Sequence, residues 1–253
     1  MMKLTSACAL AAFALLTSCA SEPPLVEEAG PAKIAQEMHA AMGGLENWNN
    51  TRYVNFKFQV GQDGEWRVSR SHLWDKWEGR YRLESTDNEG VRSVALFNVN
   101  TKQGKVYVDS VELPAEETQE RLERAYGAYI NDTYWLAMPW KWLEPGVNLS
   151  SDGEETVNGE ACDVVELSFD QVGLTPGDVY RAFVSKQSRL MTHWEYTLES
   201  DNEGSWDWVY ADTNGLKLAA THKQADGREI NMGDPVAGNE VDESLFVDPA
   251  KSL

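Results

Sequence analysis

Chemistry in this chain would have to come from few residues. His193-Trp194-Glu195 alternates along a strand-like run, so His193 and Glu195 share a face, and Asp207 on a following strand is placed to meet them. Alternating polar residues on an antiparallel strand ordinarily form its solvated side, so this trio is expected to be surface and not an acid-base centre. The other His residues, His39, His72 and His222, show no pair at ligand spacing on one element. His39, between Met38 and Ala40, is expected at the boundary of a helix face. The sequence has no HExxH, CxxC, GxSxG, P-loop or helix-opening GxGxxG. The acidic turns Gln62-Asp63-Gly64-Glu65, Asp87 to Gly90 and Asp201 to Gly204 lack EF-hand ligand spacing and are expected to be hairpin ends. No catalytic residue, metal site or cofactor is expected.

Three cysteines remain. Met1, Met2 and Lys3 lead into an apolar run from Ala7 to Leu16 that is too short to span a bilayer, the form of a secretory signal. It ends in Leu16-Thr17-Ser18-Cys19, which resembles a bacterial lipobox and implies a signal peptide over residues 1–18 with Cys19 lipidated as the new N-terminus. Several acyl chains at about 0.8 kcal/mol per buried methylene, palmitate among them, would hold the protein to a membrane. Residues 19–30, rich in Pro and Glu, read as a tether. Cys8 leaves with the signal, so Cys162 has no partner for an intrachain disulfide and is expected as a small buried hydrophobe.

The formal charge of the whole chain is −19, and loss of the signal removes Lys3 and no acid, leaving 21 basic against 41 acidic residues. Nucleic acid is excluded as a partner on this balance, and anionic headgroups would repel the surface.

The positioning elements follow from periodicity. Pro31 opens a helix with Ile34, Met38, Ala41 and Met42 at helical spacing, stopped by Gly43-Gly44. Val54, Phe56, Phe58 and Val60 then alternate with Tyr53, Asn55, Lys57 and Gln59, predicting a half-buried strand. Strands are predicted over 66–73, 80–85, 91–98 and 105–109. Pro114 starts a second helix to Ile130, with Leu122, Ala125, Tyr126 and Tyr129 on one side. Further strands are predicted over 161–169, 179–185, 190–198, 205–210, 216–223 and 229–232. The architecture expected is mainly β (α+β): one antiparallel sheet of about ten strands, curled, with helices covering its open side, in a single domain over residues 31–253.

Between helix and strands lies YWLAMPWKW, Tyr134 to Trp142. Pro139 lacks an N–H and should end the helix, so Trp140 and Trp142 leave its axis. The segments NDTYWLAMPWKWLEPGVNL, ACDVVELSF, TPGDVYRAFVSKQSRLMTHWEY and VDESLFVDP together resemble the LolA-like outer-membrane lipoprotein-sorting superfamily, nearest a branch of uncharacterised bacterial lipoproteins with a YWL-MP-K segment. The resemblance runs from Pro31 to Pro249 and implies a LolA/LolB-like half-barrel whose helical lid covers an apolar cavity for acyl chains. Outer-membrane placement facing the periplasm is also implied, because Ala20 after Cys19 is not the Asp of inner-membrane retention.

Trp135, Met138, Trp140 and Trp142 on the lid, with Phe56, Phe58, Trp66 and Trp74 on the sheet, are therefore the candidate ligand-binding residues. They either line a cavity for a lipid or acylated ligand or fill it with their own side chains. The first makes a lipid-binding lipoprotein, the second a non-catalytic interaction module with a protein partner. Lys141 either snorkels to water or meets a lipid phosphate.

Overall fold

The structure is a computed structural model that describes residues 30–173 and 175–253. The proposed signal, the lipobox with Cys19 and nearly all of the tether lie outside the described residues.

The chain begins with helices α1 (Pro31–Ala41) and α2 (Leu45–Asn50). Five hairpin-linked strands follow: β1 (Tyr53–Gln62), β2 (Glu65–Asp75), β3 (Arg80–Thr86), β4 (Arg92–Asn98) and β5 (Gln103–Val108), then a two-residue β6 (Val111–Glu112). Helix α3 (Ala115–Ala137) runs into a 3-10 turn, Met138–Lys141. The second run comprises β7 (Val147–Val157), β8 (Glu160–Phe169), β9 (Val179–Ser185), β10 (Met191–Thr197), β11 (Glu203–Thr213), β12 (Leu216–Lys223), β13 (Arg228–Asn231) and β14 (Val236–Gly238). All fourteen strands form one antiparallel sheet, ordered β6-β5-β4-β3-β2-β1-β13-β12-β11-β10-β9-β8-β7, with β14 also on β1. The two runs join where β1 pairs with β13. β6 and β7 are unpaired edges, so the sheet is open.

Fourteen strands replace the expected ten or so. The largest omission is β7, which after the half-buried Val147 and Leu149 is exposed from Ser150 to Thr156 and so lacks there the alternation by which strands are read. It forms because β8 offers it a full antiparallel partner from Val147↔Phe169 to Val157↔Glu160. The second helix also extends seven residues beyond Ile130, through Tyr134 and Trp135, because nothing before Pro139 interrupts the hydrogen-bond ladder.

Helix α3 crosses the inner face of the sheet. Its first half packs Leu122 and Ala125 on Tyr81, Phe97 and Val106 of β3 to β5, and its end joins the main core, which draws on β1 and on β8 to β13 together. Cys162, fully buried, belongs to a small separate cluster with Val164 and Phe183. Burial pushes its thiol up, so it stays protonated.

One polar cluster fastens the helix. Asp132 of α3, fully buried, receives a bidentate pair from Arg70 at 2.7 and 2.8 Å and lies 3.1 Å from His72 Nε2. His72 Nδ1 in turn meets the Tyr81 hydroxyl at 2.8 Å. Burial keeps His72 neutral and Tyr81 protonated, so the phenol donates to Nδ1 and Nε2–H faces the carboxylate. Burial alone would raise Asp132, but hydrogen bonds from His72 and Arg70 outweigh it and hold the carboxyl below its usual value.

On the outer face of β1 to β4 lies the C-terminal segment. Glu243 accepts from Arg80 and from the Tyr53 hydroxyl, both at 2.6 Å, and Arg82 binds the carbonyls of Leu245 and Asp248.

Removing Arg70 alone leaves the buried Asp132 carboxylate without its cation. Arg70→Ala is therefore expected to lower stability by about 3–5 kcal/mol in urea unfolding, whereas the apolar double replacement Arg70→Met/Asp132→Leu should come within about 1 kcal/mol of the parent.

Candidate functional site

Pro139 organises the end of α3. It cannot donate to the Trp135 carbonyl one turn back, and the backbone changes to the 3-10 turn from Met138. One histidine serves the carbonyl at the break: His39 of α1 donates from Nε2 to the Pro139 carbonyl at 2.9 Å. His222 of β12 packs edge-on against Trp135, ring centroids 5.1 Å apart, with neither ring nitrogen hydrogen-bonded among the described residues. His39 is thus buried and committed to the turn, not a boundary residue of α1. Trp140, sent off the helix axis, is sandwiched between His39 (centroids 5.6 Å) and Trp48 of α2 (5.3 Å), both nearly parallel to it. Lys76 caps the stack 3.4 Å above the Trp48 ring, and burial, with Lys141 nearby, pushes its amine down to about 7.

Beside the turn is a cavity of about 570 Å³, within the range of small-molecule sites. Its ceiling is the end of α3 and the turn, and its floor is the inner face of β8 to β11 with the start of β7. Trp135, Met138 and Trp142 border it from above. Leu167, Tyr180, Trp194 and Trp206 border it from below, with Phe169 and Tyr196 beside them. The rings contact one another edge to face, Tyr180 on Trp194 at 4.8 Å and Trp135 on Trp206 at 5.4 Å. Polar groups sit at Lys141, Glu144, Thr175 and Asp178. Lys141 is 3.7 Å from Glu144, so its charge is turned to that carboxylate.

Of the eight candidate residues, Trp135, Met138 and Trp142 border this space, and Trp140, Phe56, Phe58, Trp66 and Trp74 do not. Trp140 is consumed by the stack. Phe56 lies flat on His72, with centroids 4.4 Å apart, and Phe58 lies beneath the Arg70 guanidinium. Trp74 packs edge-on against Tyr129 and Trp48. Trp66 sits by the β1–β2 turn, opposite Gly61, where a Cβ would come within 2.9 Å of its ring. These sheet residues belong to β1 and β2, whereas the space opens over the second run of strands. Tyr180, Trp194 and Trp206 escaped the sequence reading although Trp194 and Trp206 alternate with polar neighbours and Tyr180 lies between Arg181 and the exposed Val179. Their alternation identifies an inner face but not the part of it that the helix leaves uncovered.

His193 and Asp207 do meet, Nδ1 to Oδ1 at 2.7 Å, with Asn158 also donating to Asp207. They are on the outer face, opposite Trp194 and Trp206, and Glu195 is taken by Arg181 at 2.6 Å. Among the described residues no group of three or more His, Cys, Asp or Glu side chains is placed to hold a metal ion, and no helix is long and apolar enough to cross a membrane.

Burial pushes His39 and His72 down from their usual value and takes His222 to about 3. A lowered folded value means that only the unfolded chain takes up these protons, so stability falls as pH drops below about 6.5. His222→Phe should therefore lose less stability than the parent between pH 7 and pH 5, read as the shift of the urea midpoint. Trp140→Ala is expected to cost about 3–5 kcal/mol at pH 7 through the lost stack.

No family model and no curated protein matches this chain. Solved structures do. A DUF1329 family protein from Desulfovibrio piger shares 12% identity at TM-score 0.48, over 86% of this chain and 98% of that one. A LolA superfamily protein from Nitrosomonas europaea shares 10% at 0.47, over 87% and 98%. The lipoprotein LppX of Mycobacterium tuberculosis shares 11% at 0.33, over 83% and 98%.

Proposed function

We propose that this protein is a lipid-anchored protein of a bacterial envelope that binds an acyl chain, or a ligand of similar apolar character, between its helix α3 and the inner face of β7 to β11. The observation that carries the reading is the cavity itself: about 570 Å³ bounded by aromatic walls that rest on one another instead of closing in. Binding needs no bond chemistry. Transfer of apolar surface from water into such a space yields roughly 25 cal/mol per Å², so about ten methylenes supply roughly 8 kcal/mol before ordering costs. The anchor is Cys19, and the −19 formal charge makes that anchor, not surface attraction, the means of staying at a membrane. Outer-membrane placement and a part in lipid or lipoprotein trafficking follow from the lipobox-like segment and Ala20.

The competing reading, an interaction module with a self-filled core, is favoured in one half of the molecule. Under the first half of α3, Tyr81, Phe97, Leu122 and Ala125 meet directly. In the second half Trp135 also meets Trp194 and Trp206, but the cavity beside them is left unfilled.

Two measurements test the proposal. A fluorescent fatty alcohol, a neutral acyl-chain probe, should bind the parent at micromolar or better affinity, and Val147→Trp, which adds a ring at the half-buried start of β7, should weaken this at least tenfold with little change in melting temperature. Absence of binding, together with natively purified protein that carries no lipid by mass spectrometry, would remove the reading. Radiolabelled palmitate should be incorporated in bacteria and lost in Cys19→Ala.

A further inference from the structure

Three aspartates are buried in the described residues, and two of them are neutralised. Asp75 has Arg52 and Arg80 at 2.9 and 2.6 Å. Asp132 has Arg70 at 2.7 Å and His72 at 3.1 Å. The third, Asp178, is 3% exposed and borders the cavity. It accepts from the Glu199 amide at 3.0 Å and from the Tyr180 hydroxyl at 3.2 Å, yet among the described residues no Lys, Arg or His forms an ion pair with it. A carboxylate taken out of water without a counter-charge is costly, and native structures avoid it unless something else supplies the charge.

The surroundings specify what could supply it. Tyr134, Tyr180 and Trp194 all border the cavity, with ring centroids 6.2, 6.5 and 4.8 Å apart pairwise. Ring faces are the negative part of the aromatic quadrupole and attract cations, most strongly where water is excluded. Tyr134 also feels the charges of Asp178 and Glu144, which, after burial and the neighbouring Tyr180, push its phenol well above the usual value. Lys141, the cation among the lining residues, is turned to Glu144 and leaves Asp178 unanswered.

We propose that the cavity takes a ligand bearing a positively charged nitrogen, an alkylamine or quaternary ammonium amphiphile, with Asp178 as its counter-ion and the rings of Tyr134, Tyr180 and Trp194 as its walls. This rests on the reading of the cavity as an apolar ligand site and names the head group that accompanies the chain. An anionic head group fits less well, because it would approach Asp178 and Glu144 within a chain of formal charge −19.

The test uses three ligands of one chain length, tetradecyltrimethylammonium, tetradecanol and tetradecanoate, each titrated below its micelle threshold against the full chain by tryptophan fluorescence and calorimetry. The ammonium compound should bind about tenfold more tightly than the alcohol, and tetradecanoate most weakly. In Asp178→Asn the preference for the ammonium compound over the alcohol should disappear. Equal binding of ammonium and alcohol by the parent, tighter binding of tetradecanoate, or an ammonium preference that persists in Asp178→Asn each overturns the assignment of charge. The first two need no variant to fold, and alcohol binding would still leave the apolar site standing. Failure of all three ligands to bind overturns the apolar site and the assignment together.

Discussion

An open sheet with an apolar inner face needs cover, and here one helix and its trailing turn provide it. The constraint is steric as much as hydrophobic. Helix α3 has 23 residues, about 35 Å of rise, before Pro139 ends it. Over β3 to β5 its side chains reach the sheet and close the space with Tyr81, Phe97 and Leu122. Past Pro139 the chain turns toward α1 and α2 to seat Trp140, and this turn spans the inner face of β8 to β11 without filling it. The cavity is what remains when the cover is pulled to one side by its own anchoring stack.

Polar groups decide how firmly that cover is held. Asp132 ties the helix to β2 through Arg70 and His72, and His39 donates to the Pro139 carbonyl at the proline break. Each is a buried hydrogen-bonding group whose loss would leave its partner unsatisfied, which costs more than the bond contributes when present. Burial keeps the histidines neutral, against contacts that favour the protonated ring. His39 supplies a directional donor at the proline break, where the backbone has none to offer. Asp178 at the cavity differs from Asp75 and Asp132 in having hydrogen bonds but, among the described residues, no ion pair.

The elements were legible where a single rule governed them. Alternation in Val54, Phe56, Phe58 and Val60 identified β1, and the Gly43-Gly44 stop is real, since a Cβ on Gly43, at φ +109°, would lie 2.0 Å from the Gly215 carbonyl oxygen. The fold class was legible for the same reason. β7 was not, because a solvated edge strand needs only a partner and shows no buried face of its own. Among candidate ligand residues, composition pointed to the aromatic segment, and Trp135, Met138 and Trp142 do border the cavity, whereas Trp140 from the same nine residues is sealed into a stack. Phe56 and Phe58 carry the right character on the right face, but over a part of the sheet that α3 and its polar clamp occupy.

By itself the sequence determined what local rules can reach: the strand and helix periods, the break at Pro139, the large acidic excess, and the absence of spaced catalytic motifs. These depend on neighbours a few residues apart, so they can be read along the chain. Which aromatic rings face space and which face one another was decided by the tertiary structure alone. That outcome depends on the register of β8 to β11 and on where α1 and α2 draw the turn after α3, contacts between residues such as His39 and Pro139 that lie 100 positions apart. The isolation of Asp178 is of the same kind, since a missing counter-charge becomes visible only when everything near it has been placed.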